Sequence, residues 1–422
     1  MHTQRFISIA TALLLVATTA PTMAQTPPTP ATKPDAVPLA KSAEGLTVGL
    51  GGFLKISMLL QAWYQVKDLK DTVTTPGKTT DTWTNALRLR RAEFQVKGEL
   101  MPKRIAYGLM IDPAKLAETK ETTLTVDVPM PDGFLPKDKD GYLLKADGTQ
   151  FLGSDGKPMK TLTLKGSTKS KQSASTFSIL QDFWISVLTD YADISVGQFK
   201  IPVSYEGFNS SGVLLFAERS LVSSAFGDKR DLGVRIDKRF KYVYYNVSLF
   251  NGAGANNFEF DHRKELAARV EITPLPWLMF GGVAYATLRP AGKDDNAKER
   301  YEADVRLDTH GFLFQAEYIR ARDWDATLKK LVTGQGFYTS AAYSPVPEWQ
   351  IAVRGGLLDE DVLDLTPATR TRVWEFGGGL HWMPLGHAAN LKLDYFLYKP
   401  THTTPTRKGT EHQVVLAAQV RF

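Results

Sequence analysis

Residues Ile194–Lys238 read ISVGQFKIPVSYEGFNSSGVLLFAERSLVSSAFGDKRDLGVRIDK. The stretch begins and ends with short alternating segments, ISVG and DLGVRID, which are typical of β-strands. The part between them is apolar, and residues 201–218 contain neither Lys nor Arg. We therefore predict that residues 201–227 form a loop folded into the lumen of a membrane β-barrel. Basic residues gather at its edges: Lys200, Arg219, Lys229, Arg230 and Arg235.

The composition favours β structure. The chain has 422 residues, 11% aromatic residues and 33 glycines, which suit strands and tight turns. Charged residues make up 23% of the chain and the mean hydropathy is −0.21, so helical membrane spans are not expected. The net charge of +6 is too small to indicate a nucleic-acid partner, although it permits attraction of anions. Cysteine is absent, which excludes disulfides and thiolate chemistry.

The first 47 residues precede the predicted barrel. Arg5 is followed by the apolar run Ile7–Val16 and by the small-residue site Thr22–Ala24, which together predict a cleaved secretory signal peptide over residues 1–24. Residues 25–47 are rich in Pro and Ala and predict a periplasmic linker.

Residues 48–422 predict a single all-β domain, a transmembrane antiparallel barrel of about sixteen strands. Apolar and polar residues alternate in segments of about ten residues, as in LAARVEI at 266–272 and YEADVRL at 301–307. A soluble sandwich also alternates, but here the polar positions often carry charges in mid-strand. The predicted strands lie near 49–66, 84–100, 103–112, 176–189, 192–200, 228–239, 240–250, 262–273, 276–289, 298–307, 311–322, 333–344, 347–359, 370–382, 388–400 and 409–422.

The connections between these strands alternate between short and long. Short turns such as MPKR, TPLPW and DTHG suit the periplasmic side of an outer-membrane barrel, and long loops suit the outer side. In this order residues 201–227 are the third long loop, and the longest connection is the polar stretch 113–175, interpreted as an outer cap with small hairpins. The last strand alternates and ends on Phe422, which resembles the assembly signal of outer-membrane barrels.

If the apolar positions face lipid, the lumen is lined by charges of both signs. The basic candidates are Lys55, Arg88, Lys97, Arg235, Arg269, Arg306, Arg354, Lys392 and Arg421, and the acidic ones are Asp182, Asp237, Glu271, Glu302, Asp304, Glu317, Glu375 and Asp394. A water-filled lumen needs polar side chains on its wall, and this need explains most of these charges without a specific role.

Three arginines near the start of the barrel stand apart. In RLRRAEFQVKG at 88–98 the apolar residues change parity at Arg90–Arg91, which predicts a β-bulge there. A bulge lets Arg88, Arg90 and Arg91 all approach the lumen, where their guanidinium groups would bind oxyanions. The alternative is that these arginines pair with Asp182, Asp231 or Glu218.

The motifs RLRRAEFQVKGEL, VGQFKIPVSYE, ERSL and RDLGVRI, followed by a strand and NG, resemble the phosphate-selective porin O and P family in this order. The resemblance runs from about Gly51 to Phe422. It implies a sixteen-stranded outer-membrane barrel, usually a homotrimer, with an inward-folded third extracellular loop. It also implies a water-filled channel for passive diffusion of small solutes that prefers anions, phosphate or polyphosphate among them.

The resemblance implies a constriction built from basic residues. Arg88, Arg90 and Arg91 match the family's motif, and Lys200, Arg219 and Arg235 are further candidates for anion binding. The chain departs from the expected pattern because residues 201–218 of the loop contain no basic residue.

Two other classes of function stay open. An enzyme barrel would need Ser, His and carboxylate side chains on one wall, but the seven histidines are scattered and the chain has no GxSxG motif, metal-ligand spacing or cofactor motif. A non-conducting receptor or adhesin would use the 113–175 loop to bind its partner. A soluble β-protein is a more distant alternative.

Overall fold

The structure is a computed structural model. It describes residues 46–48, 52–70, 81–117, 119–129, 137–140, 142–144, 149–150, 157–158, 163–173, 179–257, 263–288, 297–325, 328–362, 372–401 and 409–422. The predicted signal peptide at 1–24 lies outside the described residues. So does the predicted linker at 25–47, except for its last two residues.

Strands dominate the described part of the chain. They are β1 (Leu46–Val48), β2 (Gly52–Lys70), β3 (Asp81–Met101), β4 (Ile105–Ile111), β5 (Thr119–Pro129), β6 (Thr163–Ser173), β7 (Leu180–Val187), β8 (Asp193–Lys200), β9 (Arg230–Arg239), β10 (Val243–Phe250), β11 (Lys264–Leu275), β12 (Leu278–Leu288), β13 (Lys298–Thr309), β14 (Phe312–Asp325), β15 (Lys330–Val346), β16 (Trp349–Asp359), β17 (Arg372–Trp382), β18 (Ala389–Pro400) and β19 (Glu411–Arg421). Two α-helices, α1 (Tyr205–Phe208) and α2 (Leu221–Phe226), and two 3-10 helices, Pro113–Ala117 and Ser211–Val213, complete the described elements. None of the described helices has the length and apolar character needed to cross a membrane.

Sixteen strands form one closed antiparallel sheet. They are β2, β3, β4 and β7 to β19. Each pairs with the next strand of this series, so that β4 pairs with β7. The last strand, β19, then pairs with β2, with Leu416 opposite Tyr64, and this pairing closes the barrel. The predicted all-β barrel of about sixteen strands is therefore confirmed. All sixteen predicted segments correspond to barrel strands, with boundaries that differ by a few residues.

Short turns join the strands at one end of the barrel. The connection between β13 and β14 is the two-residue turn His310–Gly311, in which both residues have positive φ, 50° and 76°. This conformation matches the twist of the flanking strands, and Gly311 adopts it without steric cost. Connections of three to six residues, such as 240–242 and 383–388, join other pairs at the same end. The alternation of short and long connections follows the predicted order.

The exposure of side chains is the inverse of that in a soluble protein. Along β11, Leu266, Val270 and Ile272 are exposed, with Val270 at 46%, whereas Arg269 is 0% exposed and Glu271 is buried. Apolar residues therefore face outward and charged residues face the lumen, as predicted. This pattern is typical of a transmembrane barrel, whose outer face meets lipid and whose interior is polar.

The predicted bulge in β3 is confirmed. Gln61 of β2 lies opposite Arg91, but the next residue, Ala62, lies opposite Leu89. Arg90 is therefore the extra residue in the ladder. The bulge shifts the inward parity of β3 by one position, so that Arg88 and Arg91 both lie on the inward face.

The long connection between β4 and β7 contains more strand than the sequence suggested. β5 and β6 pair in register over eleven residues, from Thr119 opposite Ser173 to Pro129 opposite Thr163. The sequence predicted small local hairpins. The residues that form this ladder are polar and rich in Thr and Lys, so they lack the apolar alternation that identified the barrel strands.

Apolar side chains of loop 201–227 pack against large residues on the inward face of the sheet. One cluster joins Leu215, Phe216 and Ala217 to Trp63 and Phe396. A second cluster joins Ile201, Val203 and Val222 to Phe199 and Phe250. The apolar interior of the loop is thus explained by packing.

Replacing Phe216 by Ala should lower the free energy of unfolding by about 3–5 kcal/mol. Phe216 is 0% exposed, and its ring lies 5.6 Å from the ring of Phe396. The measurement is a urea titration of the folded barrel in lipid vesicles, followed by tryptophan fluorescence. Val213→Ala is the matched control, because Val213 is 39% exposed in the same loop. Equal stability of the two variants would contradict the packing role.

Candidate functional site

Loop 201–227 is built from three short helical turns, each started by a serine. The hydroxyl oxygens of Ser204, Ser210 and Ser220 accept hydrogen bonds from the backbone N–H groups of Gly207, Gly212 and Ser223. Serine is a favourable N-cap because its oxygen satisfies an N–H group that lacks a partner within the helix. These caps give the loop a defined shape without long helices.

Carboxylates on the inward face of the sheet bind the backbone of the first turn. Glu302 Oε2 accepts a hydrogen bond from Ser204 N at 2.6 Å, and Glu317 Oε2 accepts one from Tyr205 N at 2.8 Å. Ser204 has a positive φ of 67°, an uncommon conformation for a residue with a side chain. The two carboxylates hold the backbone at this strained position.

Further along, side chains of β17 and β18 bind the loop. Ala217 N donates to Asp394 Oδ2 at 2.7 Å, and Leu221 N donates to Glu375 Oε2 at 2.9 Å. Lys392 Nζ donates to the carbonyl oxygens of Leu214 and Leu215 at 2.5 and 3.1 Å. The first two contacts satisfy buried N–H groups, and the third satisfies buried carbonyls of an irregular segment.

One loop carboxylate is a central anchor. Glu206 Oε1 accepts hydrogen bonds from Arg354 at 2.8 Å and from Gln315 at 3.0 Å, and its Oε2 accepts one from Ser220 N. Glu206 and Arg354 are both buried, and Glu375 lies on the other side of the Arg354 guanidinium at 3.4 Å. Removing one partner of such a buried pair leaves an uncompensated charge.

These contacts place the loop inside the closed sheet. It is bound by side chains of β13 and β14, of β16 to β18, and also of β2 and β19, where Gln61 and Gln419 donate to carbonyls of the loop. A single segment can contact inward-facing side chains from so many parts of a closed sheet only from its interior.

Two of the three arginines of β3, Arg90 and Arg91, meet the loop at Glu218. Arg90 donates to Glu218 Oε2 at 3.2 Å, and Arg91 lies 3.7 Å from Glu218 Oε1 while donating to Gln61 at 2.7 Å. Arg88 and Arg90 both lie over the ring of Trp63. Burial alone would raise the pKa of the Glu218 carboxyl, but Arg91 and Arg90 outweigh burial and hold that pKa below its usual value. For Arg90 and Arg91 the structure therefore shows the pairing with Glu218 that was the alternative to free anion binding.

Lys200 and Arg219 meet at Asp228. Asp228 lies 3.4 Å from Lys200 Nζ and 3.0 Å from Arg219 Nη1. Lys200 also donates to the carbonyl oxygens of Gly207 and Asn209, each at 2.6 Å. Burial would raise the pKa of the Asp228 carboxyl, but these two cations hold it below its usual value. Both cations therefore also help to hold the loop in place.

Arg235 lies on the neighbouring wall. Its Nε atom is 2.9 Å from Asp237 Oδ1, and its guanidinium lies over the ring of Phe199 at 4.7 Å. The six predicted basic residues thus form three groups: the β3 arginines at Glu218 and Trp63, Lys200 with Arg219 at Asp228, and Arg235 apart.

Two cavities flank the loop. On the side of the short turns, a cavity of about 200 Å³ is lined by four basic side chains and two acidic ones. These are Lys97, Lys200, Arg230 and Arg421, with Glu93 and Asp182. On the side of the long connections, a cavity of about 560 Å³ is lined by residues that include Lys229, Arg230, Lys298 and Arg300. The basic surplus lies along β3, β8, β9 and β19.

Sequence reasoning missed part of this set. Lys97 and Arg421 were predicted to face the lumen but were not assigned to a site, and Arg230 was noted among the basic residues at the edge of the loop. Their parity was readable in the sequence, but their convergence on one cavity depends on how the barrel closes. Lys55 lies directly opposite Lys97 in the ladder and adds to the positive potential of this wall.

A buried His–Asp pair does not form a hydrolase site. His381 Nε2 lies 2.8 Å from Asp394 Oδ1, but its other ring nitrogen lies 3.1 Å from the amide oxygen of Gln350. A triad needs a hydroxyl nucleophile at that nitrogen. Among the described residues, no group of three or more His, Cys, Asp or Glu side chains could hold a metal ion.

Replacing Glu206 by Gln should weaken the attachment of the loop by about 3 kcal/mol, because the buried Arg354 would lose one of its two carboxylates. We expect faster cleavage within residues 201–227 by a protease added to the folded barrel in detergent. Glu411→Gln is the control, because the Glu411–Lys67 pair is half-exposed and remote from the loop. Unchanged cleavage in Glu206→Gln would show that this pair does not hold the loop.

Comparisons with solved structures show the fold. The outer membrane channel DcaP of Acinetobacter baumannii is 11% identical, with a TM-score of 0.54 over 90% of this chain and 100% of that chain. An anion-selective porin from Comamonas acidovorans is 10% identical, with a TM-score of 0.52 over 88% and 100%. The trimer form of the outer membrane protein OmpT of Vibrio cholerae is 8% identical, with a TM-score of 0.51 over 88% and 99%. At such identities the likeness is one of fold alone.

No curated protein matches the chain. A family model described as phosphate-selective porin O and P matches residues 160–296, which include loop 201–227 and the motifs between Ile194 and Asn251 but not the β3 arginines. The predicted resemblance to the phosphate-selective porin O and P family is therefore confirmed over residues 160–296, within a closed sixteen-stranded antiparallel barrel.

Proposed function

We propose that this protein is an outer-membrane porin, a water-filled channel through which small solutes diffuse passively, with a preference for anions. The outward apolar face and the polar lumen support a location in the bacterial outer membrane. The family match and the fold support a channel rather than an enzyme.

The observation that carries the anion preference is the cavity beside the loop. Four basic side chains line it against two acidic ones, which leaves a formal surplus of two positive charges. Rings or walls of one charge sign select ions of the other sign in narrow, water-filled passages. Arg235 and Lys55 lie on or next to this wall and add to the same field.

Asp228, which lies 3.4 Å from Lys200, offsets part of this surplus, but several other acidic residues of the lumen pair with cations elsewhere. Glu302 and Asp304 pair with Arg269, and Glu206 and Glu375 pair with Arg354. These carboxylates lie where the loop is packed against β11 and β13 to β17, away from the basic cavity. The lumen therefore contains charges of both signs, but the paired carboxylates and the basic cavity lie in different parts of it.

The predicted anion-binding residues have different roles in this proposal. Lys200 lines the basic cavity and acts directly on a passing anion. Arg90, Arg91 and Arg219 hold the loop through Glu218 and Asp228, so they set the size of the passage and contribute to its field. Arg88 and Arg235 contribute charge from the wall.

We further propose that the permeating anion is phosphate or polyphosphate. It is supported by the match to the phosphate-selective porin O and P model and by the several guanidinium and ammonium groups, which suit phosphate oxygens. A homotrimer is supported by the fold shared with OmpT of Vibrio cholerae, which has a trimer form.

Planar-bilayer recording tests the proposal. In a potassium chloride gradient, the reversal potential should show that chloride permeates better than potassium, because the basic cavity attracts anions. Addition of millimolar phosphate should reduce the chloride current if phosphate binds in the passage.

Each outcome of the recording tests a different part of the proposed function. A preference for potassium would overturn the anion preference. Chloride preference without block by phosphate would leave a general anion channel, and absence of conductance would overturn the channel itself.

Deletion of residues 119–173 should leave the conductance unchanged, because β5 and β6 pair with each other and not with the barrel strands. The alternative, a non-conducting receptor or adhesin, places its binding site in this connection. That alternative would be favoured if the intact protein showed no conductance and the deletion abolished binding of a partner.

A further inference from the structure

Arg230 lies at the boundary between the two cavities. Its side chain lines the cavity on the short-turn side of loop 201–227 and also the cavity on the long-connection side. Solutes that move between the two ends of the barrel have to pass the level of the loop. A side chain that borders open space on both sides of the loop marks a place where the two spaces approach each other.

The partner of Arg230 is an acidic residue of the wall. Arg230 Nε lies 2.8 Å from Asp182 Oδ1, and both side chains are mostly buried but retain contact with the short-turn cavity. Lys200 lies directly opposite Arg230 in the ladder between β8 and β9. Two cations opposite each other repel. Arg219 adds a third positive charge here, and the three cations outnumber by one the two carboxylates beside them, Asp182 and Asp228.

The other side of the loop offers a much smaller space. The cavity between the loop and β13 to β16 has a volume of about 70 Å³ and is lined by residues that include Glu206, Arg306 and Gln315. There the loop is fastened by the hydrogen bonds of Glu302, Glu317 and Arg354. This cavity is smaller than the two cavities that Arg230 borders, so the wall formed by β7 to β9 offers more space beside the loop.

From these observations we infer that the permeation path runs between loop 201–227 and the wall formed by β7 to β9, and that the Arg230–Asp182 pair is its selectivity-determining element. This inference rests on the proposed function of an anion-preferring channel. A passing anion binds Arg230 in competition with Asp182, and it leaves when Asp182 reoccupies the guanidinium. A fixed counter-charge of this kind prevents tight trapping, which a conducting pore must avoid.

Single-cysteine variants test the path, because the chain has no cysteine of its own. Arg230→Cys should lower the ratio of chloride to potassium permeability by about threefold, the order expected for removing one charge from a narrow aqueous passage. A methanethiosulfonate reagent with a trimethylammonium group should restore the ratio, and one with a sulfonate group should lower it further. Arg306→Cys is the control on the β13 side of the loop. The Arg306 side chain is 36% exposed, so both reagents can reach this position, but the permeability ratio should stay unchanged because the path does not pass it.

Asp182→Asn gives an independent readout if Arg230→Cys does not fold. It removes the competing carboxylate, so we expect a higher chloride preference and a stronger block by phosphate. A response of Arg306→Cys together with no response of Arg230→Cys would place the path on the other side of the loop and overturn the inference. Unchanged selectivity in both Arg230→Cys and Asp182→Asn would also overturn it. A wild-type protein without conductance or with cation preference would instead contradict the proposed function itself.

Discussion

The structure depends on the hydrogen bonds between inward-facing carboxylates of the barrel and backbone N–H groups of loop 201–227. An irregular segment inside a barrel carries N–H and C=O groups that water can no longer fully satisfy, and each group left without a partner costs free energy. Glu302, Glu317, Glu375 and Asp394 supply acceptors for these N–H groups, while Lys392 supplies a donor for two carbonyls. The loop can therefore stay inside the sheet and pack its apolar side chains there.

This arrangement divides the charges of the lumen. Carboxylates concentrate where the loop is fastened and are balanced there by Arg269 and Arg354. The basic side chains Lys97, Lys200, Arg230 and Arg421 surround the space on the other side. A lumen whose acidic and basic residues are similar in number can thus still present a mostly positive passage, because many carboxylates are paired where the loop is fastened and basic side chains outnumber acidic ones around the opening.

Much of the fold was predictable because its signals are local. Alternation with period two located all sixteen barrel strands, and the change of parity in RLRRAEF located the bulge at Arg90. The ladder of β5 with β6 was missed because its Thr- and Lys-rich residues do not alternate. The site was less predictable, because which cations share a cavity depends on barrel closure and loop placement. Arg90 and Arg91 read as an anion site in the sequence, but the structure pairs them with Glu218, which is 127 or more residues away along the chain.

We propose that the barrel holds a water-filled passage with a basic wall beside a fixed loop. The swelling rate of liposomes that contain the purified protein tests this, measured with neutral, anionic and cationic solutes of matched size. A water-filled passage with a basic wall should give swelling with all small solutes and the fastest rate with the anion. Swelling no faster than in protein-free liposomes, or a faster rate with the cation than with the anion, would contradict it.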